Sequence, residues 1–160
     1  HAAEVGHLDL KPANVIMRKG GGAVLVDFGL AGRQIRPGCA TGPYGAPEVW
    51  GVVPDGVTPK PMPADIYAFG CVAFESLTGK VLYDAPNEVA QITQHIAHDG
   101  SPPLVQDLAM VPKAKPLAEL LAATMRRDPR MRPSVKEVRT RLKEIGASIG
   151  SAPWPIPMAG

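Results

Sequence analysis

Two short stretches near the start of the chain contain the residues best suited to chemistry. They read His7-Leu-Asp-Leu-Lys-Pro-Ala-Asn14 and Asp27-Phe-Gly29. Asp9 and Lys11 place a carboxylate and a cation two residues apart, so that one loop could meet a nucleophilic hydroxyl and an anionic group together. Asn14 and Asp27 add amide and carboxylate oxygens, the ligand type that Mg²⁺ prefers. A lone Asp-x-Lys pair is usually a surface ion pair, so the information lies in the order and spacing of the whole set.

These stretches are followed by Ala46-Pro-Glu48, and Asp27 lies 18 residues after Asp9. In order and spacing the set resembles the catalytic core of eukaryotic-like serine/threonine protein kinases. Lys11 followed by Pro12 is similar to the serine/threonine branch, because the tyrosine-kinase branch has a different sequence after the catalytic aspartate. The resemblance implies an α+β protein-kinase-like fold, of which this chain is the mainly α-helical C-terminal lobe with a short β-hairpin.

The resemblance implies roles in phosphoryl transfer from ATP with Mg²⁺. Asp9 would be the candidate base that orients the substrate hydroxyl, and Lys11 would contact the transferring phosphate. Asn14 and Asp27 would hold Mg²⁺, which is usually bound by one or two carboxylates together with nucleotide phosphates. Ile16 would form part of the floor beneath the adenine, although it could equally be a core residue of a strand. The implied substrate is a protein that presents a serine or threonine.

Two further residues would support the site in a protein of this family. His7 is expected to pack beneath Phe28 and to be structural, not a proton shuttle. Thr41 matches the substrate-loop threonine that contacts the catalytic aspartate and lysine, here Asp9 and Lys11. Thr41 is therefore expected to position the site and not to act as a regulatory switch.

Three residues outside the catalytic loop are expected to hold it in place. Asp65 matches a buried aspartate that ties its helix to the catalytic-loop backbone, although alone it would be an ordinary helix N-cap. Arg132 matches the arginine that pairs with the carboxylate of Glu48, while a surface arginine before a helix is the simpler alternative. Breaking such a buried pair typically costs about 3–5 kcal/mol, because one charge is left without a partner.

Leu8 departs from the family pattern, in which an arginine stands between the histidine and the aspartate. That arginine normally pairs with a phosphorylated residue of the activation loop, a charge-assisted contact that leucine cannot make. Residues 30–45 contain no serine, and Thr41 is their only threonine. We therefore expect activity that does not depend on phosphorylation of this loop.

The pattern around these motifs predicts a hairpin and a buried helix. Val15–Met17 and Ala23–Val26 flank the glycine-rich residues 19–22 and predict two antiparallel strands. Residues 66–78 are apolar on nearly every face, which predicts a buried helix that opens at Asp65 and stops at Gly79.

Three amphipathic helices are predicted after it, and the last one opens with a capping box at Ser134 and Glu137. The predicted ranges are 88–98, 117–125 and 134–146. Prolines in residues 54–63 predict a long loop, and residues 147–160, rich in proline, glycine and alanine, predict a flexible tail. The C-terminal lobe would then comprise residues 1–146.

Composition narrows the class of protein. At 160 residues, 45% of them hydrophobic, the chain suits one globular domain or part of one. A net charge of +2 without a basic stripe gives no indication of nucleic-acid binding, and without a run of 18 apolar residues no membrane segment is predicted. Cys39 and Cys71 form no disulfide or metal pattern, which favours a reducing cytoplasm or the cytoplasmic domain of a larger protein. Cys71 is expected in the core and Cys39 in the activation loop.

The resemblance covers the C-terminal lobe only. The glycine-rich phosphate loop of the family, its strand lysine and its helix glutamate would belong upstream of His1. We therefore expect a serine/threonine kinase as the parent protein, with residues 1–160 inactive alone, weak in Mg·ATP binding and exposing apolar surface on the 66–78 helix. Two alternatives stay open: a pseudokinase or scaffold that binds protein partners, and a small-molecule phosphotransferase of the aminoglycoside-kinase type.

Overall fold

The computed structural model describes residues 3–38, 41–150 and 152–158. The predicted hairpin is present: β1 (Val15–Met17) pairs antiparallel with β2 (Ala23–Leu25), and Ile16 lies opposite Val24. Three successive glycines at 20–22 make the turn with φ between 87° and 98°, which side chains other than glycine rarely tolerate. The hairpin joins the two stretches of polar residues that the sequence singled out.

Helix α1 (Pro61–Thr78) begins four residues earlier than predicted. Asp65 is therefore not its N-cap but lies inside the helix. Prolines at 61 and 63 had suggested a loop, yet proline is compatible with a first helical turn, whose N–H groups have no intrahelical partner anyway. The predicted stop is confirmed, since Gly79 has φ 71° and donates its N–H to the carbonyl of Glu75 over 2.8 Å.

The later helices follow the predicted order with shifted ends. They are α2 (Glu88–Ile96), α3 (Pro103–Met110), α4 (Lys115–Thr124) and α5 (Val135–Ile149). The sequence did not predict α3, which is eight residues long and begins at the second of two successive prolines, Pro103. The capping box of Ser134 and Glu137 is confirmed. No helix in these ranges is long and apolar enough to cross a membrane.

The core is built around α1, which packs against α4. Gly70 permits the close approach, because a Cβ at this position would lie 2.3 Å from Thr124 Oγ1. No large apolar side chain of α1 is among the exposed ones, and part of the predicted open surface is a groove. This groove has a volume of about 530 Å³ and lies beside Ile66, Phe69 and Leu142.

Residues 147–160 are not a free tail where the structure describes them, which corrects the predicted boundary at 146. Helix α5 continues to Ile149. Ile156 is only 2% exposed and belongs to the core, and its N–H donates to the carbonyl of Leu77 over 2.8 Å. The last carbonyls of a helix lack intrahelical partners, so the segment finds both a hydrogen bond and an apolar pocket at the end of α1.

Candidate active site

The loop that bears Asp9 is tied to the buried helix α1 by Asp65. One carboxylate oxygen of Asp65 accepts the N–H of His7 over 2.7 Å, and the other accepts the N–H of Leu8 over 2.8 Å. Burial raises the pKa of Asp65, although these two backbone donors act in the opposite direction. Leu8 has φ 63°, in the left-handed region, a conformation that persists where the surroundings hold it. The core therefore sets the path of the loop that bears Asp9.

Asp9, Lys11, Asn14 and Thr41 meet around one carboxylate. Asp9 Oδ2 lies 2.8 Å from Lys11 Nζ, and Asp9 Oδ1 accepts the Thr41 hydroxyl over 2.7 Å. Lys11 Nζ also donates to Thr41 Oγ1 over 3.1 Å, which closes a triangle. Asn14 Nδ2 donates to Asp9 Oδ2 over 3.1 Å and to its backbone carbonyl over 2.8 Å. Burial alone would raise the pKa of Asp9, but hydrogen bonds from Lys11 and Thr41 outweigh it and lower that pKa.

Asp27 follows the end of the hairpin and lies on the segment next to Asn14. The N–H of Val26 donates to the carbonyl of Asn14 over 3.0 Å, which joins the two segments. Asp27 is exposed, has φ 61° and accepts the N–H of Gly29 over 3.2 Å. A left-handed residue other than glycine costs on the order of 1–3 kcal/mol and occurs often at functional sites. The exposed carboxylate of Asp27 and the buried Asn14 thus come from adjoining backbone segments.

His7 connects the two motifs. Its ring centroid lies 4.8 Å from that of Phe28, and its Nε2 lies 2.9 Å from the carbonyl of Val26. Because a carbonyl only accepts, Nε2 has the proton, and Nδ1 accepts the N–H of Asp9 over 3.3 Å. Both ring nitrogens are therefore engaged by backbone groups, which supports a structural role.

Glu48 and Arg132 form a bidentate ion pair. Arg132 Nη1 and Nη2 donate to the two Glu48 oxygens over 2.6 and 2.9 Å, and both side chains are fully buried. Arg132 also donates to the carbonyls of Pro63 and Arg126, and its Cζ lies 4.9 Å above the Tyr67 ring. The segment that follows residues 41–45, which we call the substrate loop from its expected role, is thereby fixed to the start of α1.

Ile16 lies on β1 and is 52% exposed, so it is not a core residue. Met17, Leu25 and Phe28 are exposed large apolar side chains of the same hairpin and its continuation. Because side chains alternate along a strand, Ile16 lies on one face of the hairpin with Val24, and Met17 and Leu25 lie on the other face. Cys71 is a buried free thiol whose pKa is raised by burial, and Cys39 lies outside the described residues.

Sequence reasoning missed the contacts that buried and half-buried side chains make at the substrate loop. His95 Nε2 lies 2.9 Å from the carbonyl of Gly42, next to Thr41. Tyr44 donates its hydroxyl to Glu75 over 2.7 Å, and burial raises the pKa of this tyrosine. The partners are 31 and 53 residues apart, so no local pattern predicts these contacts.

The sequence is similar to those of known proteins. The family model described as the protein kinase domain matches residues 1–141. Sperm motility kinase 2B of Mus musculus is 34% identical over 145 residues, which cover 86% of this chain and 27% of the relative. Serine/threonine-protein kinase PkaA of Streptomyces coelicolor is 30% identical over 160 residues, which cover 94% of this chain and 27% of the relative. Serine/threonine-protein kinase STY46 of Arabidopsis thaliana is 31% identical over 152 residues, which cover 94% of this chain and 25% of the relative. The chain spans about a quarter of the length of these relatives.

Proposed function

Because the chain belongs to the protein kinase family, we propose that it is the catalytic-loop part of a serine/threonine protein kinase. The full-length protein would transfer the γ-phosphoryl group of ATP to serine or threonine hydroxyls of other proteins. The observation that supports this most strongly is the Asp9 carboxylate, held jointly by Lys11 and by Thr41 of the substrate loop. A scaffold would not need to keep this arrangement.

Asp9 is suited to orienting a hydroxyl. Its lowered pKa keeps the carboxylate ionised at neutral pH and makes it a weak base, since general bases work best with a pKa near the working pH. We therefore assign to Asp9 mainly the alignment of the incoming hydroxyl, a contribution that can be large when reacting atoms are held in place. Lys11, 2.8 Å away, would place a positive charge where the transferring phosphate gains negative charge.

Thr41 joins the substrate loop to both catalytic groups. Its hydroxyl donates to Asp9 and accepts from Lys11, so a peptide seated on this loop would be in register with the reacting atoms. This contact, together with Pro12 after Lys11, supports serine or threonine as the acceptor. An aminoglycoside-type enzyme has no need for a peptide-binding loop at this place.

The residues present fit Mg²⁺. Asn14 and Asp27 would hold it with oxygen atoms, and the exposed carboxylate of Asp27 is available for this. Within 3–38, 41–150 and 152–158, no group of three or more His, Cys, Asp or Glu side chains is arranged to hold a metal ion. A pair of protein ligands suits Mg²⁺, because nucleotide phosphates and water usually supply the rest. When bound, Mg·ATP supplies the phosphoryl group, and Ile16 would lie beneath the adenine.

We further propose that activity does not require a phosphorylated activation loop and that the protein works in the cytoplasm. Leu8 packs against the apolar core and offers no charge to a phosphate. The buried Cys71 thiol fits a reducing compartment.

The decisive test uses the full-length protein with radiolabelled Mg·ATP and a library of serine and threonine peptides. We expect transfer to peptides, none to aminoglycosides, and a loss of about 10²–10⁴-fold for Asp9→Asn, with ATP binding retained. Asp55→Asn, in an exposed loop, is the matched control and should keep full activity. ATP binding without any transfer would favour the scaffold alternative, and labelled aminoglycoside would favour the small-molecule enzyme.

A further inference from the structure

Four aromatic side chains form a buried cluster beneath the substrate loop, which we name the histidine–tyrosine cluster: Tyr67, Tyr83, His95 and His98. His95, near the end of α2, is 1% exposed. Its Nδ1 lies 2.8 Å from the Tyr67 hydroxyl, and its Nε2 lies 2.9 Å from the carbonyl of Gly42. The Tyr83 hydroxyl lies 3.2 Å from that of Tyr67 and 2.5 Å from His98 Nε2.

Counting the available protons assigns a donor and an acceptor to each hydrogen bond of this cluster. The Gly42 carbonyl can only accept, so His95 has its proton on Nε2, and its Nδ1 accepts from the Tyr67 hydroxyl. A phenol has one proton, so the Tyr67 oxygen accepts in turn from Tyr83. At the far end, His98 Nδ1 accepts the N–H of Gly100 over 3.0 Å, which leaves a proton on Nε2 for the oxygen of Tyr83.

The resulting chain of donors runs from His98 through both tyrosines to His95 and ends on Gly42. Each ring nitrogen then has one hydrogen-bond partner, with both imidazoles neutral, and the Tyr83 hydroxyl also lies 3.8 Å from Met125 Sδ. Burial lowers the pKa of His95 and of His98 to about 4, which agrees with neutral rings. If all these hydrogen bonds ran in the opposite direction, the unprotonated Nε2 of His95 would face the Gly42 carbonyl, and two acceptors would be in contact.

The end of the chain adjoins the reacting groups. Gly42 follows Thr41, whose hydroxyl donates to Asp9. Helix α2 touches Gly42 at a second point, since a side chain at residue 42 would collide with Gln91. The Trp50 ring lies 5.1 Å from the His95 ring and closes the other side. The substrate loop is thus held at Gly42 by α2 and at Thr41 by the catalytic loop.

We propose that His95 is a positioning residue for the protein substrate, which it serves by donating Nε2–H to the Gly42 carbonyl and so holding Thr41 against Asp9. Of the other members of the histidine–tyrosine cluster, Tyr67 acts through His95, because the Tyr67 hydroxyl on Nδ1 fixes the tautomer that makes this donor. The proposal rests on the proposed kinase function for its catalytic consequence. The contact itself can be tested without activity.

The test compares three variants of the full-length protein at a temperature where all are folded. His95→Leu removes the donor, His95→Gln restores an N–H able to reach Gly42, and Tyr83→Phe disturbs the cluster without touching the loop. We expect His95→Leu to raise the KM for a peptide substrate about tenfold, the usual scale for a buried carbonyl left without its donor. The KM for ATP should stay unchanged, His95→Gln should stay within about threefold of wild type, and Tyr83→Phe should lower only the unfolding temperature.

Hydrogen exchange gives a readout that needs no catalysis. The amides of Tyr44 and Gly45 donate to the Thr41 carbonyl over 3.0 and 3.1 Å, and they should exchange about tenfold faster in His95→Leu but not in His95→Gln or Tyr83→Phe. Unchanged exchange in His95→Leu, or equal acceleration in Tyr83→Phe, would overturn the positioning role. Wild-type protein that transfers no phosphate would instead overturn the kinase function and with it the catalytic consequence.

Discussion

Two parts of the molecule are built in opposite ways: the core around α1 and the edge that we propose to be catalytic. The edge, from His7 to Gly29, is mostly half-buried or exposed and includes two left-handed residues other than glycine, Leu8 and Asp27. The core consists of buried apolar side chains, and its described buried polar side-chain atoms are hydrogen-bonded except for Trp50 Nε1. A site that includes strained residues keeps its geometry only if something rigid holds it.

Three tethers from the core hold the edge and the substrate loop. They are Asp65 to the catalytic loop, Arg132 to Glu48, and His95 to Gly42. Substitutions at the edge should therefore alter catalysis and leave stability nearly constant, while substitutions at the tethers should act on stability first. The predictions below test this division in the full-length protein.

The largest effect is expected at Asp27. Asp27→Asn keeps the shape of the side chain and its tolerance of a left-handed backbone, but removes the charge proposed to hold Mg²⁺. Metal ions contribute several kcal/mol to transition states of this kind, so kcat should fall by about 10²-fold or more. The measurement is transfer across a magnesium titration, beside urea unfolding. Full activity at low magnesium would refute the assignment, and a large loss of stability would refute the division between edge and core.

Arg132 should give the largest loss of stability. Arg132→Ala strands the buried carboxylate of Glu48, which typically costs about 3–5 kcal/mol. Urea unfolding measures this loss of stability. The double variant Glu48→Gln, Arg132→Met leaves no unpaired charge and should therefore lose less stability than Arg132→Ala. A single variant within about 1 kcal/mol of wild type would show that this tether carries little of the fold.

Acid should weaken the histidine–tyrosine cluster before it weakens the edge. The pKa of His95 and of His98 is lowered to about 4 by burial, against 6.5 for the exposed ring. The unfolded chain therefore binds more protons between these values, and stability present above pH 6.5 should be lost progressively as the pH falls toward 4. Arg127 disfavours the charged form of His98, and Asp99 favours it. The free energy of unfolding, measured from pH 7 to 4.5, should fall less steeply in the double variant His95→Gln, His98→Gln than in the wild type. Equal slopes in the two proteins would contradict the assignment.

The smallest effect is expected at Arg130, two residues before Arg132. It pairs with Asp128 over 2.7 Å at the surface, where ion pairs contribute little because water screens them. Arg130→Ala should leave the unfolding midpoint within experimental error. Since it removes the same side chain as Arg132→Ala, a comparable loss would show that burial is not what separates the two arginines.

The catalytic edge was predictable because its chemistry demands particular residue types in a fixed order. Asp9, Lys11 and Asn14 lie close together in sequence, and the structure brings them around one carboxylate. The start of α1 was not predictable in this way, because Pro61 reads as a loop residue although a first helical turn accepts it. Ile156 gave no signal either, since one apolar residue among prolines has no periodicity. His95 escaped because its partners at 42 and 67 are distant along the chain.

The hydrogen bond from Ile156 to Leu77 matters to anyone who shortens this protein for laboratory use. A recombinant version that stops at residue 150 would lose the side chain that closes the groove beside Leu117 and Ile145. Such a product should stick to hydrophobic resins and collect in inclusion bodies, even though it keeps Asp9, Lys11, Asn14 and Asp27. A well-behaved version therefore extends at least to residue 158, with any affinity tag placed beyond a spacer.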